Sequence, residues 1–354
     1  MKKSVLFLAL TLVLCLLSTA ALGDQLIDEA NVLYQEGKHE EAYALYLQAA
    51  EAGDPQGMYC VATLRLNGEG IAQSDVLAME WYQKAADLDH TDSLNILANA
   101  CYSGSYGMPV DLEMAFSYYL RSAQQYSTEG MFDAAYMYNN GLGVEQDAEK
   151  ALEWYQKAAM LGDVRSMHNL ALMYEDGTAC TADPGFSVEL LKYAAQTDYV
   201  PAILALGLGH QYGYYQLPVD PAAAFAWYQK AADLGNAEGM CRLAALYAAG
   251  SGVEQDRAKA AQLYQQSADL GDAEAQFQLG ILYWNGDQVE QNTEKAISLY
   301  QQAAGQNHGH ALKFMGDLYA QGNQVEANAE TARDYYLRAQ QAGVDVSAEL
   351  DSLE

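Results

Sequence analysis

His308 and His310 stand one residue apart, and two such imidazoles could begin a metal site. A closed zinc site takes four ligands, however, so the pair reads instead as solvated turn residues. Cys60, Cys101, Cys180 and Cys241 are far apart in the chain, which excludes a CxxC redox or zinc motif. In an oxidising compartment they could pair, and three connectivities stay open. Gly207-Leu208-Gly209 lacks the third glycine of a dinucleotide fingerprint. GxSxG, HExxH, SxxK and P-loop patterns are absent. Asp and Glu number 47, enough for a glycosidase-like acid pair, but many of them recur at a fixed interval, as structural residues do. No catalytic residue, cofactor or metal ligand is expected, and the chain reads as not an enzyme.

Recognition is the other chemistry on offer. Aromatic and amide residues recur at spacings of four and three: Asn95, Asn99 and Tyr102; Phe132, Tyr136 and Asn139; Phe277, Ile281 and Trp284. Tyr59 and His168 hold the first place of the same triplet elsewhere. Positions i, i+4 and i+7 form one stripe on a helix. The candidate partner-binding groove is therefore Tyr59, Asn95, Asn99, Tyr102, Phe132, Tyr136, Asn139, His168, Phe277 and Trp284. Rings of this kind anchor peptides, although large apolar residues also serve as core.

The elements that would carry this stripe repeat. Trp154-Tyr155 aligns with Trp81-Tyr82, Tyr118-Tyr119, Leu190-Leu191, Trp227-Tyr228, Leu263-Tyr264, Leu299-Tyr300 and Tyr335-Tyr336, at steps of 36 or 37 residues. Such a period marks a stacked array. Each copy reads as two helices. The first keeps a small residue at its third position (Gly57, Ser93, Gly130, Ser166, Ala202, Gly239, Ala275, Ala311). It keeps another at its eighth (Ala62, Ala98, Ala135, Ala171, Gly207, Ala244, Gly280, Gly316). Glycine weakens an isolated helix, so these sites imply close approach by a neighbour. Ser74, Asp111, Asp147, Asp183, Asp220, Asp256, Asn292 and Asn328 fall where the second helix should begin, and all belong to the N-capping set.

The first 23 residues differ. Lys2 and Lys3 precede an apolar run from Val5 to Leu17, and Ala21-Leu22-Gly23 offers a cleavage site before Asp24. This reads as a signal peptide; the alternative is an uncleaved anchor over residues 5–22. Leu14 before Cys15 is too bulky for a lipoprotein signal. The net charge is −29, and losing a leader with two lysines and no acids leaves −31. That charge repels nucleic acid and anionic lipid. It suits solubility or a basic partner.

Leu243-Ala244, Tyr247, Gly250, Gly252, Val253, Asp256 and Tyr264 carry a pattern that resembles the Sel-one-like repeat, a tetratricopeptide relative. The resemblance implies an all-α fold, a right-handed α-solenoid of antiparallel helix pairs. Eight repeats are expected: 55–90, 91–127, 128–163, 164–199, 200–236, 237–272, 273–308 and 309–344. Residues 24–54 resemble a tetratricopeptide pair capping the array, and 345–354 form a closing cap or tail. Repeats 164–199 and 200–236 depart most from the pattern. The family implies a scaffold: an exported protein, secreted or periplasmic, that holds a protein or peptide in a concave groove. A hydrolase or β-lactam-binding protein on the same solenoid, or a passive spacer, are the alternatives. Cysteine-rich relatives linked to β-lactams carry a cysteine pair per repeat, which is not the pattern here.

Overall fold

The computed structural model describes residues 23–322 and 324–353, and no strand occurs among them. The expected leader lies outside the described residues except for Gly23, which stands in the first helix. That helix, α1, covers 23–35 and is followed by α2 (His39–Glu51). The expected repeats then supply α3 (Pro55–Asn67) with α4 (Asp75–Asp87), α5 (Thr91–Ser103) with α6 (Leu112–Gln124), and α7 (Thr128–Asn140) with α8 (Ala148–Met160). Next come α9 (Val164–Asp176), α10 (Pro184–Gln196), and α11 (Val200–Tyr212) with α12 (Pro221–Asp233). The series ends with α13 (Ala237–Ala249), α14 (Arg257–Asp269), α15 (Ala273–Asn285), α16 (Thr293–Gly305), α17 (Gly309–Gln321), α18 (Ala329–Gln341) and the short α19 (Ser347–Asp351). The chain divides between Ala182 and Asp183 into two compact halves. Within each, consecutive helices pack in pairs, the arrangement of an α-solenoid.

Local chemistry sets these helix ends. All eight expected caps accept a backbone N–H at the start of their second helix, as Asp147 Oδ1 does from Lys150 at 2.9 Å and Asp256 Oδ1 from Lys259 at 2.8 Å. Gly143 shows what the loop demands. Its φ is +66°, and an added Cβ would lie 2.1 Å from the Leu112 carbonyl oxygen on the preceding repeat's second helix. Only glycine meets both constraints.

All sixteen small-residue positions are buried. Where it is glycine, the third position touches the preceding helix: a Cβ on Gly57 would sit 2.7 Å from Ala50 N, and one on Gly239 would sit 2.5 Å from Ala231 Cβ. Where it is glycine, the eighth faces the tyrosine of its own second helix. A Cβ on Gly280 would come within 2.7 Å of Tyr300 Cε1, and one on Gly316 within 2.5 Å of Tyr336 Cε1. Tyr82, Tyr155, Tyr228 and Tyr300 are fully buried. Burying 150–250 Å² per ring at about 25 cal/mol per Å² contributes on the order of 4–6 kcal/mol each, before entropy is subtracted.

Two local features differ from regular repetition. His308 is not a solvated turn residue. It is the N-cap of α17, with Nδ1 accepting from Ala311 N–H at 3.2 Å and Nε2 2.9 Å from Glu274 Oε2 on α15. Its side chain is only 14% exposed. The register explains the role, since His308 stands where Asp272 and Asn236 cap their own helices. The other feature is repeat 200–236, irregular as expected. Tyr199 makes no side-chain cap bond, and a 3₁₀ turn at Tyr214–Gln216 places Tyr215 at φ 58°. That turn folds back on α11, where a Cβ on Gly209 would meet Leu217 Cδ1 at 2.8 Å.

Candidate functional site

The predicted stripe is positioned by first helices whose other faces are committed to packing. In the N-terminal half, Tyr59 on α3 is half-buried, with its ring 5.7 Å from Tyr82 and 5.0 Å from His90. Burial pushes its hydroxyl pKa up. Asn95 on α5 is only 4% exposed. Its Nδ2 donates to Ser127 Oγ at 3.2 Å and to Glu129 Oε2 at 3.1 Å, both in the next repeat. It therefore cements two repeats rather than facing a groove. Asn99 is exposed, and its Oδ1 accepts from the Tyr119 hydroxyl at 2.6 Å.

Asn99 and Tyr102 on α5, Tyr119 on α6, and Phe132, Asp133, Tyr136 and Met137 on α7 enclose a cleft of about 310 Å³. Tyr102 is 38% exposed and Tyr136 40%. Phe132 is half-buried, 5.8 Å from Tyr155, with the Arg165 guanidinium 4.2 Å above its ring. Asn139 is half-buried, and its carbonyl accepts from Gln146 at 2.7 Å. His168 on α9 is half-buried too, and burial lowers its pKa. Four of the ten predicted residues thus border one cleft: Asn99, Tyr102, Phe132 and Tyr136.

Sequence reasoning missed Asp133. It makes no hydrogen bond in the described chain, and burial raises its carboxyl pKa to about 7. Arg165 opposes the shift; Glu129 and Asp163 add to it. The signal lay at the sixth place of the first helix, which is Cys60, Ile96, Asn169, Ala205, Gln278 or Phe314 elsewhere, and carries a charge only as Asp133 and Arg242.

In the C-terminal half, Phe277 on α15 lies 5.6 Å from Tyr300 and 4.9 Å from His308. Trp284 meets Phe314 edge-on at 5.1 Å. Both are half-buried between repeats. A larger cleft of about 430 Å³ includes Tyr212, Glu238, Cys241, Arg242, Tyr264 and Glu274. Here Arg242 lies 5.9 Å from the Tyr228 ring centre and is bound to Glu238, at 2.7 Å from Nε and 2.6 Å from Nη2. Burial pushes the Cys241 thiol pKa up, away from reactive thiolate. All four cysteines of the described chain are free thiols. Among the described residues no three His, Cys, Asp or Glu side chains converge as metal ligands would.

The Sel1 repeat family model matches nine stretches: 30–54, 55–90, 91–127, 128–163, 164–197, 200–236, 237–272, 273–308 and 309–344. The chain belongs to the Sel1 repeat family. Two solved Sel1-type structures are similar to it. A protective antigen of uropathogenic Escherichia coli with an SLR fold is 26% identical, with a TM-score of 0.68, over 88% of this chain and 67% of that one. A Sel1 repeat protein from Oxalobacter formigenes is 30% identical, with a TM-score of 0.65, over 72% of this chain and 100% of that one. In Sel1 terms, the repeat fixes where the clefts open, and the residues free to vary decide what lines them.

Proposed function

We propose that this Sel1 repeat protein is an exported scaffold whose first-helix stripe holds a protein or peptide partner. The observation that carries the reading is the α5–α7 cleft. Four stripe residues from consecutive repeats meet there, and two of their rings, Tyr102 and Tyr136, stay exposed. Exposed rings on a rigid frame are suited to anchoring a partner. Inter-repeat bonds such as Asn95 to Ser127 hold the wall before any partner arrives, which lowers the ordering cost of binding. The acidic excess, 47 Asp and Glu against 18 Lys and Arg, favours a basic partner. The leader expected at residues 1–23 supports export, and the similarity to a protective antigen is consistent with it.

The test is crosslinked capture from the cell fraction where the chain, expected to begin at Asp24, accumulates. Tyr102→Ala with Tyr136→Ala should reduce recovery of the captured partner about tenfold, with helical circular dichroism unchanged. Phe277→Ala with Trp284→Ala probes the C-terminal stripe separately. Capture that survives both pairs removes the stripe from consideration.

A further inference from the structure

Asp133 stands half-buried on the wall of the N-terminal cleft. A carboxylate partly withdrawn from water gains from a donor or a counter-charge, and Asp133 receives no hydrogen bond from the described residues. The groups facing it are Glu129 on its own helix, Tyr119 on α6, Tyr155 on α8, Asp163 at the start of α9 and Arg165 on α9. One cation thus stands among three acids. Arg165 is already engaged: Nε and Nη2 donate to Asp163 Oδ2 at 3.2 and 3.0 Å.

The walls suit a planar cation. Arg165 itself stacks on Phe132, so one aromatic face beside Asp133 already accepts a guanidinium. Tyr102 and Tyr136 offer further rings, and neither hydroxyl has a hydrogen-bond partner in the described chain. The cleft, about 310 Å³, lies in the range of small-ligand pockets. We propose that it is a subsite for an arginine side chain of a peptide partner, with Asp133 accepting from the guanidinium and the tyrosine rings flanking its plane. The inference rests on the peptide-binding reading above and names the residue that the N-terminal cleft selects. Arginine is favoured over lysine because its flat fork both stacks and donates twice to one carboxylate. Binding would also draw Asp133 into its ionised form.

The experiment titrates the purified protein with N-acetyl-arginine amide and follows the tyrosine resonances. N-acetyl-citrulline amide, neutral and nearly isosteric, is the control. Saturable arginine binding is expected, at least tenfold tighter than citrulline. Wild-type affinity should rise several-fold between pH 6 and pH 8, as Asp133 ionises. Asp133→Asn should weaken arginine binding about tenfold at pH 8 and abolish the pH dependence. Tyr102→Ala, at an exposed ring, should weaken it several-fold without loss of fold. Citrulline binding as tightly as arginine, or Asp133→Asn staying within twofold of wild type, would overturn the proposal. These results are separable from the scaffold reading. Partner capture lost on removing Tyr102 and Tyr136, without arginine selectivity, defeats the subsite alone; arginine binding with tyrosine-independent capture defeats the stripe alone.

Discussion

The two clefts share a plan and differ in charge. In the N-terminal half, the second and sixth residues of α7 are Glu129 and Asp133; in the C-terminal half, the same places on α13 are Glu238 and Arg242. Residues four apart are neighbours on a helix surface. On α13 this geometry yields a closed ion pair, with Arg242 laid toward the Tyr228 ring. On α7 it sets two acids beside each other, and burial, with Glu129 adding to it, raises the Asp133 pKa. One repeat scaffold therefore builds a cleft whose central charge is paired and another whose central carboxyl, Asp133, has no direct partner while the nearby Arg165 is held by Asp163. The helices do not cause the difference. A single side chain at a place that packing leaves free to vary does.

If the scaffold is the shared part, damage beneath either cleft should cost the same. Tyr155 and Tyr228 are fully buried, one against Phe132 of the N-terminal cleft and the other beside Arg242 of the C-terminal cleft. Tyr155→Ala and Tyr228→Ala should each destabilise by about 3–5 kcal/mol, the usual loss for an aromatic ring from a core. Urea denaturation followed by circular dichroism checks this in each variant. A difference between the two losses of more than about 2.5 kcal/mol, beyond the usual spread for one chemistry, would break the equivalence.

How far this was legible in sequence depended on how local each interaction is. Asp147 and Asp256 announce themselves because a cap reaches only three residues along its own helix. Gly280 and Gly316 are legible because a small residue recurring at one place needs a close neighbour, and Tyr300 and Tyr336 supply it. The resemblance drawn from Tyr247, Gly250 and Tyr264 extended those local signals to the family. Asn95 was misleading: it falls on the stripe, but its amide is spent on Ser127 and Glu129, partners set by the stacking of repeats. His308 was misread since histidine is an unusual cap, though its register was right. Asp133 was passed over for lack of any period. Its environment comes from four helices and appears only when they are assembled.

Charge at Asp133 also gives the N-terminal half a signature in acid. Its folded pKa of about 7 lies above the ordinary aspartate value of 3.8. Between those limits the folded form holds a proton that the unfolded chain releases, so this group's contribution makes stability fall as pH rises from about 4 to about 7. The slope for a single group cannot exceed about 1.4 kcal/mol per pH unit. Asp133→Asn should remove that component, flattening the profile relative to wild type and leaving the variant the more stable above pH 7. Denaturant midpoints from pH 4 to 8, compared between the two proteins, cancel the contributions of every other titrating group. Parallel profiles would mean that water or Arg165 already satisfies Asp133, and the contrast between the clefts would shrink.

The smallest effect belongs to the closed pair. Glu238 and Arg242 keep 45% and 32% of their side-chain surface exposed, so solvent and salt screen their attraction. Glu238→Gln should cost only about 0.3–0.5 kcal/mol, as for other exposed pairs four residues apart. The cost should shrink further in 1 M salt, where the Debye length is about 3 Å. A loss above about 2 kcal/mol, unaffected by salt, would show that the pair behaves as a buried one, whose disruption strands an uncompensated charge. In that case the C-terminal cleft would be held as tightly by electrostatics as the N-terminal cleft is strained by them. The distinction would then lie in the sign of the central charge and not in whether that charge is satisfied.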